Sequence, residues 1–206
     1  YYIVVDPAFF SIPKNERIKK VQNSFHDSIV KKTSWNLNLL IPTTAKNSSF
    51  IEEIVSSNSF IKITYFKHIP IIGGVKRLNN FLFTFDLATP FYMNILIAAI
   101  FNSLKMRYNK IVVWGADHSW HEDYVLGADN YIYRSDKHFY SKDPKGNLIV
   151  LTKADGSPQR VHEEFYNMHA VFKTYHSIQN FSKKIGSKII NSSSKTWIDA
   201  FQRIEK

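Results

Sequence analysis

The chain has 206 residues, of which 44% are hydrophobic and 15% aromatic, and this length predicts a single well-packed domain over residues 1–206. It has no cysteine, which excludes a disulfide scaffold and thiolate metal sites and favours a cytoplasmic protein. The formal net charge of +10 favours anionic partners, but the basic residues are dispersed and no nucleic-acid-binding motif accompanies them, so we expect no nucleic-acid partner.

The first predicted element is a strand over residues 2–5, a β-branched run that ends at Asp6-Pro7. Proline stops the strand and leaves the Asp6 carboxylate at its carboxyl end, so Asp6 is a candidate site residue. Local preferences alone favour an ordinary Asx turn before the proline. Because the chain begins inside this strand, we expect an earlier strand in a longer protein.

A helix is predicted next, over residues 14–31, from apolar side chains at helical spacing. Strands follow over residues 37–41 and 60–66, with a helix between them that is capped by Thr43 or Thr44. The β-α-β-α-β order predicts an α/β domain with a doubly wound, mostly parallel, Rossmann-like sheet.

The alternation of strand and helix patterns ends at residues 68–87. There Gly73-Gly74 and the basic pair Lys76 and Arg77 predict a loop over the sheet edge. That loop either borders an anionic ligand or is an ordinary surface loop. Thr89 and Pro90 then predict a helix start, with Thr89 as the N-cap and the helix running to about residue 108. The helix N-terminus either holds a carboxylate or phosphate or is a plain cap.

The segment KIVVWGADHSW, residues 110–120, predicts a buried central strand that stops at Gly115. This strand places Asp117, His118 and Ser119 at the sheet edge where ligands of open α/β folds bind. Histidines and carboxylates follow closely, but their spacing matches no metal motif of defined geometry. We therefore predict no metal site and no cofactor.

Residues 121–158 are polar, aromatic and rich in turn residues, which predicts a lid-like insertion with short strands near residues 131–133 and 148–151. Its candidate ligand contacts are aromatic residues and one histidine: Tyr131, Tyr133, His138 and Tyr140.

A long helix is predicted over residues 160–184, and it carries His162, His169 and His176 at seven-residue intervals along one stripe. Spacing alone leaves open whether this stripe faces a cleft or solvent. A last strand near residues 188–190 and a short helix over residues 196–203 complete the chain.

The motifs of other transfer chemistries are missing from the sequence: it has neither a Gly-x-Ser-x-Gly nucleophile elbow nor a Walker-type phosphate loop. The chemistry that remains possible uses a histidine as the general base, with dipoles and hydroxyls that hold an anionic donor. Group transfer from an activated phosphate requires these groups.

Four segments taken together resemble a known family: YYIVVDPAFF, the Thr89-Pro90 segment, IVVWGADHSW, and the histidine-bearing helix followed by KIINSSSKTWIDAF. In this order they resemble the bacterial sialyltransferases of glycosyltransferase family 42. They also resemble related surface-polysaccharide proteins grouped near the archaeal pterin pyrophosphokinase-like domains. The resemblance covers most of the chain.

The resemblance implies a variant of the GT-A fold and a metal-independent glycosyltransferase that uses a nucleotide-activated, CMP-linked sugar of nonulosonate or Kdo type. Asp6, Thr89 and Asp117 would bind the donor, and lid tyrosines (Tyr131, Tyr133 or Tyr140) would stabilise the departing phosphate. His169, or its rival His162, would be the general base. The family's first strand and its Gly-Asn-Gly-Pro-Ser turn have no counterpart in this chain.

The implied partners are a nucleotide sugar and a glycan or lipid-linked glycan acceptor. The basic surface suits an anionic donor and attachment at the inner face of the cytoplasmic membrane. Two alternatives stay open: a nucleotide pyrophosphokinase-like phosphotransferase, and a non-catalytic nucleotide- or glycan-binding domain.

Overall fold

The computed structural model describes residues 1–135, 148–153 and 155–204, and it has a mixed α/β fold with mostly parallel strands. The predicted lid contacts His138 and Tyr140 lie outside the described residues. The five described α-helices are α1 (Glu16–Lys32), α2 (Ser49–Ser57), α3 (Lys76–Thr84), α4 (Ile95–Lys105) and α5 (Val161–Lys184). The described strands are β1 (Tyr2–Ile3), β2 (Leu37–Pro42), β3 (Ile61–Phe66), β4 (Pro70–Ile71), β5 (Thr89–Pro90), β6 (Lys110–Val113), β7 (Tyr124–Leu126), β8 (Ile132–Ser135), β9 (Leu148–Val150), β10 (Lys188–Asn191) and β11 (Gln202–Arg203).

Two three-stranded parallel sheets form the framework, with strand orders β1-β2-β3 and β11-β10-β6. In the first sheet, Leu39 pairs with Tyr2 on one side and with Ile63 on the other. In the second, Ile190 pairs with Val112. Parallel neighbours need crossover connections, and α1, α2 and α5 supply them, as the alternating order predicted.

Both faces of β2 are buried, because its side chains alternate between two hydrophobic clusters. Leu39 and Ile41 point into a cluster shared with α1 and α2, whereas Leu40 joins the cluster of α4 and α5. Each fully buried Leu or Ile stabilises the fold by roughly 1.5–3 kcal/mol. The cluster containing Leu40 also contains Val113 of β6 and Ile189 of β10, so the two parallel sheets share a core.

The predicted insertion forms an antiparallel sheet, β7-β8-β9, with Tyr133 paired to Val125 and Val150. The expected strands near residues 131–133 and 148–151 are thus confirmed within the described residues.

β6, predicted as a buried central strand, is hydrogen-bonded to β10 alone among the described strands. Val113 is buried, but Val112 is 39% exposed. The β-branched run Ile111 to Val113 favours a strand whatever its neighbours, so composition did not show on how many sides β6 is paired.

The predicted helix start at Thr89 is wrong. Thr89 and Pro90 form β5, which pairs in parallel with β4, and α4 begins only at Ile95. Asn94 is the N-cap, and its Oδ1 accepts a hydrogen bond from the Ile97 amide at 3.0 Å. The Thr-Pro pair suits a helix start, but pairing with β4 overrides this local preference.

The predicted loop over residues 68–87 is also wrong, because α3 occupies its second half. The buried face of α3 carries Asn79 and Asn80 beside Phe83. Two buried asparagines obscure the apolar periodicity by which a helix is recognised.

Two smaller expectations fail near turns. Thr43 and Thr44 lie in a short 3-10 turn, and α2 begins later, at Ser49. The helix expected over residues 196–203 is absent from this described segment, which instead ends in β11. There the Thr196 hydroxyl donates to the Ala116 carbonyl at 2.7 Å and accepts from the side-chain amide of Asn191. These two hydrogen bonds hold the chain in a turn.

None of the helices in the described part of the chain combines the length and the apolar character needed to cross a membrane.

Candidate functional site

A cleft of about 540 Å³ opens where β1 and β2 end. We call it the aromatic cleft. Strand residues and the segments that follow β1, β2 and β3 supply most of its wall, and residues 92–95 at the start of α4 complete it. In parallel α/β sheets, ligands collect at the carboxyl ends of strands, because the connecting loops open there. The lining residues include the aromatic Phe9, Phe25, His68 and Tyr92 and the polar Thr44 and Asn94.

Asp6 lies at the rim of the aromatic cleft and is exposed. Its Oδ1 accepts a hydrogen bond from the Ala8 amide at 2.8 Å and caps the short 3-10 turn Pro7–Phe9. The sequence left open whether Asp6 is a turn residue or a site residue. The geometry fits both roles, since Asp6 caps the turn and borders the cleft.

His68 is the histidine of the aromatic cleft, and the sequence did not identify it. Its ring stacks on Tyr92 with centroids 4.9 Å apart and an interplanar angle of 17°. Burial lowers the pKa of His68, because the charged imidazolium loses hydration, and the ring is therefore neutral at pH 7. Its Nε2 is buried without a hydrogen-bond partner among the described residues.

Tyr92 is 7% exposed, and its hydroxyl lies near Thr89 and Asn102 without a hydrogen bond of ordinary geometry to either. Burial raises the pKa of Tyr92, so the phenol is neutral. The wall formed by His68 and Tyr92 is therefore uncharged and contains two buried polar atoms that lack partners.

The N-terminus of α4 forms another part of the wall through Asn94 and Ile95. Asn94 caps one amide of the first turn, and the remaining amides and the positive end of the helix dipole lie at the cleft. A helix N-terminus favours phosphate or carboxylate. The sequence predicted such a helix start near the site but placed it five residues too early.

Behind this wall, a buried polar network fixes Asn94. The Tyr175 hydroxyl lies 2.6 Å from His118 Nε2 and donates to Asn94 Oδ1 at 3.2 Å. Tyr175 is fully buried and His118 is 6% exposed. Burial lowers the pKa of His118 to about 4, although the nearby Asp117 carboxylate opposes the shift. Because the Tyr175 proton is donated to Asn94 Oδ1, the neutral His118 carries its proton on Nε2 and donates it to the Tyr175 oxygen, and the chain of hydrogen bonds ties α5 to the start of α4.

Asp117 and Thr89, predicted to bind the donor beside Asp6, do not line the aromatic cleft. Asp117 is exposed, and its carboxylate accepts from the His118 amide at 2.7 Å and from the Ser119 hydroxyl at 3.1 Å. Thr89 is buried, and it accepts from the Ile69 amide through its hydroxyl at 3.1 Å. Both residues are engaged in local hydrogen bonds of the fold.

The described lid tyrosines lie in the antiparallel sheet, outside the aromatic cleft. Tyr131 packs under the Arg160 guanidinium, 4.4 Å from the ring centroid. The Tyr133 hydroxyl donates to Asp129 Oδ2 at 2.8 Å, a bond that raises the pKa of Tyr133.

The predicted bases His162 and His169 lie on the exposed side of α5, and neither lines the aromatic cleft. His162 instead borders a separate open depression beside Lys153. The buried side of α5 carries Tyr175 and Ile178. The histidine stripe is therefore exposed and does not face the aromatic cleft.

Two sequence signals were available for the missed residues. Asn94 precedes the apolar run Ile95 to Phe101, which is the pattern of an N-cap before a buried helix. His68 follows the end of β3 by two residues, a strand-end position of the same kind as that of Asp6. Within the described residues, no three His, Asp or Glu side chains lie close enough to hold a metal ion.

Comparison with models of known protein families, with curated proteins and with solved structures found no match. The resemblance to the family 42 sialyltransferases therefore rests on the sequence segments alone and stays a prediction.

Proposed function

We propose that this chain is the donor-binding α/β domain of a metal-independent glycosyltransferase that takes a sugar from a nucleotide donor, of CMP-linked nonulosonate or Kdo type. The aromatic cleft carries the proposal, because it lies at parallel strand ends with a helix N-terminus in its wall. The rings of Phe9, Phe25 and Tyr92 suit a base or sugar face, and the start of α4 suits a phosphate.

The proposed architecture is one doubly wound sheet with the strand order β3-β2-β1-β6-β10-β11. This order corresponds to that of dinucleotide-binding folds, and ligands bind where the order reverses, here between β1 and β6. The shared core of Leu40, Val113 and Ile189 supports it, since both parallel sheets pack on the same helices α4 and α5.

In this proposal His68 is the general base. A base must be neutral and have a free lone pair. Burial lowers the pKa of His68, and in the tautomer with its proton on Nδ1 the lone pair is on the buried Nε2, which has no partner among the described residues. Asp6 at the rim orients the donor or acceptor hydroxyl. The acceptor is a surface glycan or its lipid-linked precursor, and the net charge of +10 supports peripheral attachment to an anionic inner membrane face.

A second candidate is a non-catalytic nucleotide-binding domain. The exposure of His162 and His169, away from the aromatic cleft, favours it. The two candidates share the cleft and differ in whether His68 does chemistry.

Calorimetry with CMP, UMP, GMP and their sugar conjugates tests the proposal. Thr44 and Thr43 form a matched pair, because both are exposed in one turn and only Thr44 lines the cleft. We expect CMP to bind, and Thr44→Trp to weaken binding at least about tenfold by filling the cleft, whereas Thr43→Trp leaves it unchanged. Failure of every nucleotide to bind would overturn the proposal.

Release of CMP from a CMP-sugar, with water as acceptor, separates the two candidates. General-base catalysis contributes typically 10²–10⁴-fold, so His68→Ala should slow release by about 100-fold or more while CMP still binds. His169→Ala and His162→Ala serve as controls with unchanged rates. No release by the wild-type protein, with CMP bound, would favour the non-catalytic domain.

A further inference from the structure

A second cleft, of about 200 Å³, is lined by one residue from each strand of the β4–β5 pair, Ile71 and Pro90, and shares no lining residue with the aromatic cleft. We call it the basic cleft. The Gly73-Gly74 turn, the start of α3 and the middle of α5 form its walls. Among the described residues that line it, the charged side chains are Lys76, Lys173 and, when protonated, His176, and none is acidic. Its electrostatic preference is therefore for an anion.

The glycine turn lets two side chains approach the backbone closely. Both glycines have positive φ, +75° at Gly73 and +89° at Gly74. The Asn79 amide donates to the Gly73 carbonyl at 2.7 Å, and a Cβ on Gly74 would lie 2.6 Å from Asn79 Oδ1. Lys173 Nζ lies 3.7 Å from the position that a Cβ on Gly73 would occupy. The turn therefore brings the Lys173 ammonium group against the backbone of the cleft.

The start of α3 is open at the basic cleft. Val75 is the N-cap and makes no side-chain hydrogen bond to the helix, and the first turn has no acidic residue. Its free amides and dipole thus lack the protein partner that usually satisfies them. Lys76 and Lys173 form no ion pair within the described part of the chain.

Asn80 supplies independent evidence for a ligand. It forms part of the cleft wall, is only 9% exposed, and its Oδ1 has no hydrogen-bond partner among the described residues. A buried carbonyl without a donor costs roughly 1–3 kcal/mol. The neighbouring Thr174 hydroxyl is already used, since it donates to the Ala170 carbonyl at 2.7 Å. A ligand hydroxyl that donates to Asn80 would remove this cost.

We propose that the basic cleft binds the phosphate monoester of a small polyhydroxyl compound, the chemistry of a sugar phosphate. The phosphate lies at the start of α3 between Lys76 and Lys173, and a hydroxyl donates to Asn80 Oδ1. The volume of 200 Å³ is below the roughly 300–1,000 Å³ typical of drug-sized ligands, so the ligand is compact. This site is separate from the aromatic cleft and does not depend on the glycosyltransferase proposal.

The test is calorimetric titration of the whole chain with glucose 6-phosphate, inorganic phosphate and glucose. We expect glucose 6-phosphate to bind most tightly, with an affinity that falls as salt rises, because surface charges are screened. Lys173→Gln should weaken it at least about tenfold. Lys20→Gln, a lysine on α1 away from the cleft, removes the same charge and should have no effect.

Equal losses in Lys173→Gln and Lys20→Gln would overturn the site, because only net charge would then matter. Inorganic phosphate binding as tightly as glucose 6-phosphate would overturn the role of Asn80, and no binding of either would overturn the proposal. Thr44→Trp, which fills the aromatic cleft, should leave glucose 6-phosphate binding intact. The two proposals can therefore fail separately.

Discussion

The aromatic cleft and the basic cleft share no lining residue, and they differ in how their polar groups are held. In the aromatic cleft, His68 and Tyr92 are uncharged rings, and a buried network of His118, Tyr175 and Asn94 supports the wall. In the basic cleft, the charged side chains Lys76 and Lys173 are exposed and lie beside a glycine turn. Burial and hydrogen bonding therefore maintain the first site, whereas backbone conformation maintains the second.

The largest expected difference is in sensitivity to acid. The pKa of His118 is about 4 in the folded protein and about 6.5 when unfolded, so the unfolded chain takes up the proton first as pH falls. Stability is unaffected by this group above pH 6.5 and decreases down to about pH 4, by on the order of 2–3 kcal/mol. Denaturant unfolding between pH 7.5 and 4.5 measures it.

The matched variants for this experiment are His118→Gln and His176→Gln. His118→Gln should flatten the dependence of unfolding free energy on pH, because the depressed group is gone. His176 is exposed beside the basic cleft, where its Nε2 lies 3.1 Å from Asp199 Oδ1, and its replacement should change the slope little. Equal slopes in the wild type and His118→Gln would show that burial does not lower the pKa of His118 in the folded protein.

The second effect concerns the glycine turn. Gly74→Ala should destabilise the fold by about 2–3 kcal/mol, because φ is +89° and the new Cβ meets Asn79 Oδ1. Gly186→Ala is the control, since Gly186 also has positive φ, +76°, but nothing lies within 4 Å of its Cβ position. The control should cost about 1 kcal/mol from backbone strain alone. Thermal unfolding compares the two variants. Equal losses of stability would mean that the Asn79 side chain moves away from the new Cβ without a measurable loss of free energy.

The smallest effect concerns the cap at the aromatic cleft. Asn94 and Asn15 both cap helices, but Asn94 also accepts from the Tyr175 hydroxyl. Asn15→Ala should cost about 1 kcal/mol, and Asn94→Ala nearly 2 kcal/mol, because a second hydrogen bond is lost. Urea unfolding of both variants checks the difference. If Asn94→Ala cost no more than Asn15→Ala, the network would contribute nothing beyond the cap.

The regular parts of the fold were predictable because their apolar residues follow one period. The spacing in α1 and α5 and the apolar run of β2, which only Asn38 interrupts, led to elements that the structure confirms within two residues. The segment between β3 and α4 was mispredicted, because its structure depends on distant partners. The Thr89 hydroxyl accepts a hydrogen bond from the Ile69 amide. The helix α3 buries Asn79 and Asn80, which a prediction from apolar periodicity places on the exposed side.

The candidate site was predictable only at its rim. Asp6 was identified because a strand end before proline is a local signal. His68 was missed because its role depends on stacking against Tyr92, 24 residues later. The family resemblance implied that His169 or His162 is the general base. Their spacing could not test this, because a heptad interval places residues on one stripe without showing which side of the helix is buried.

A short part of α5 takes part in both clefts. Lys173 and His176 border the basic cleft, and Tyr175, between them, carries the hydrogen bond behind the aromatic cleft. These positions span about one helical turn, so a rotation or axial shift of α5 displaces all three together.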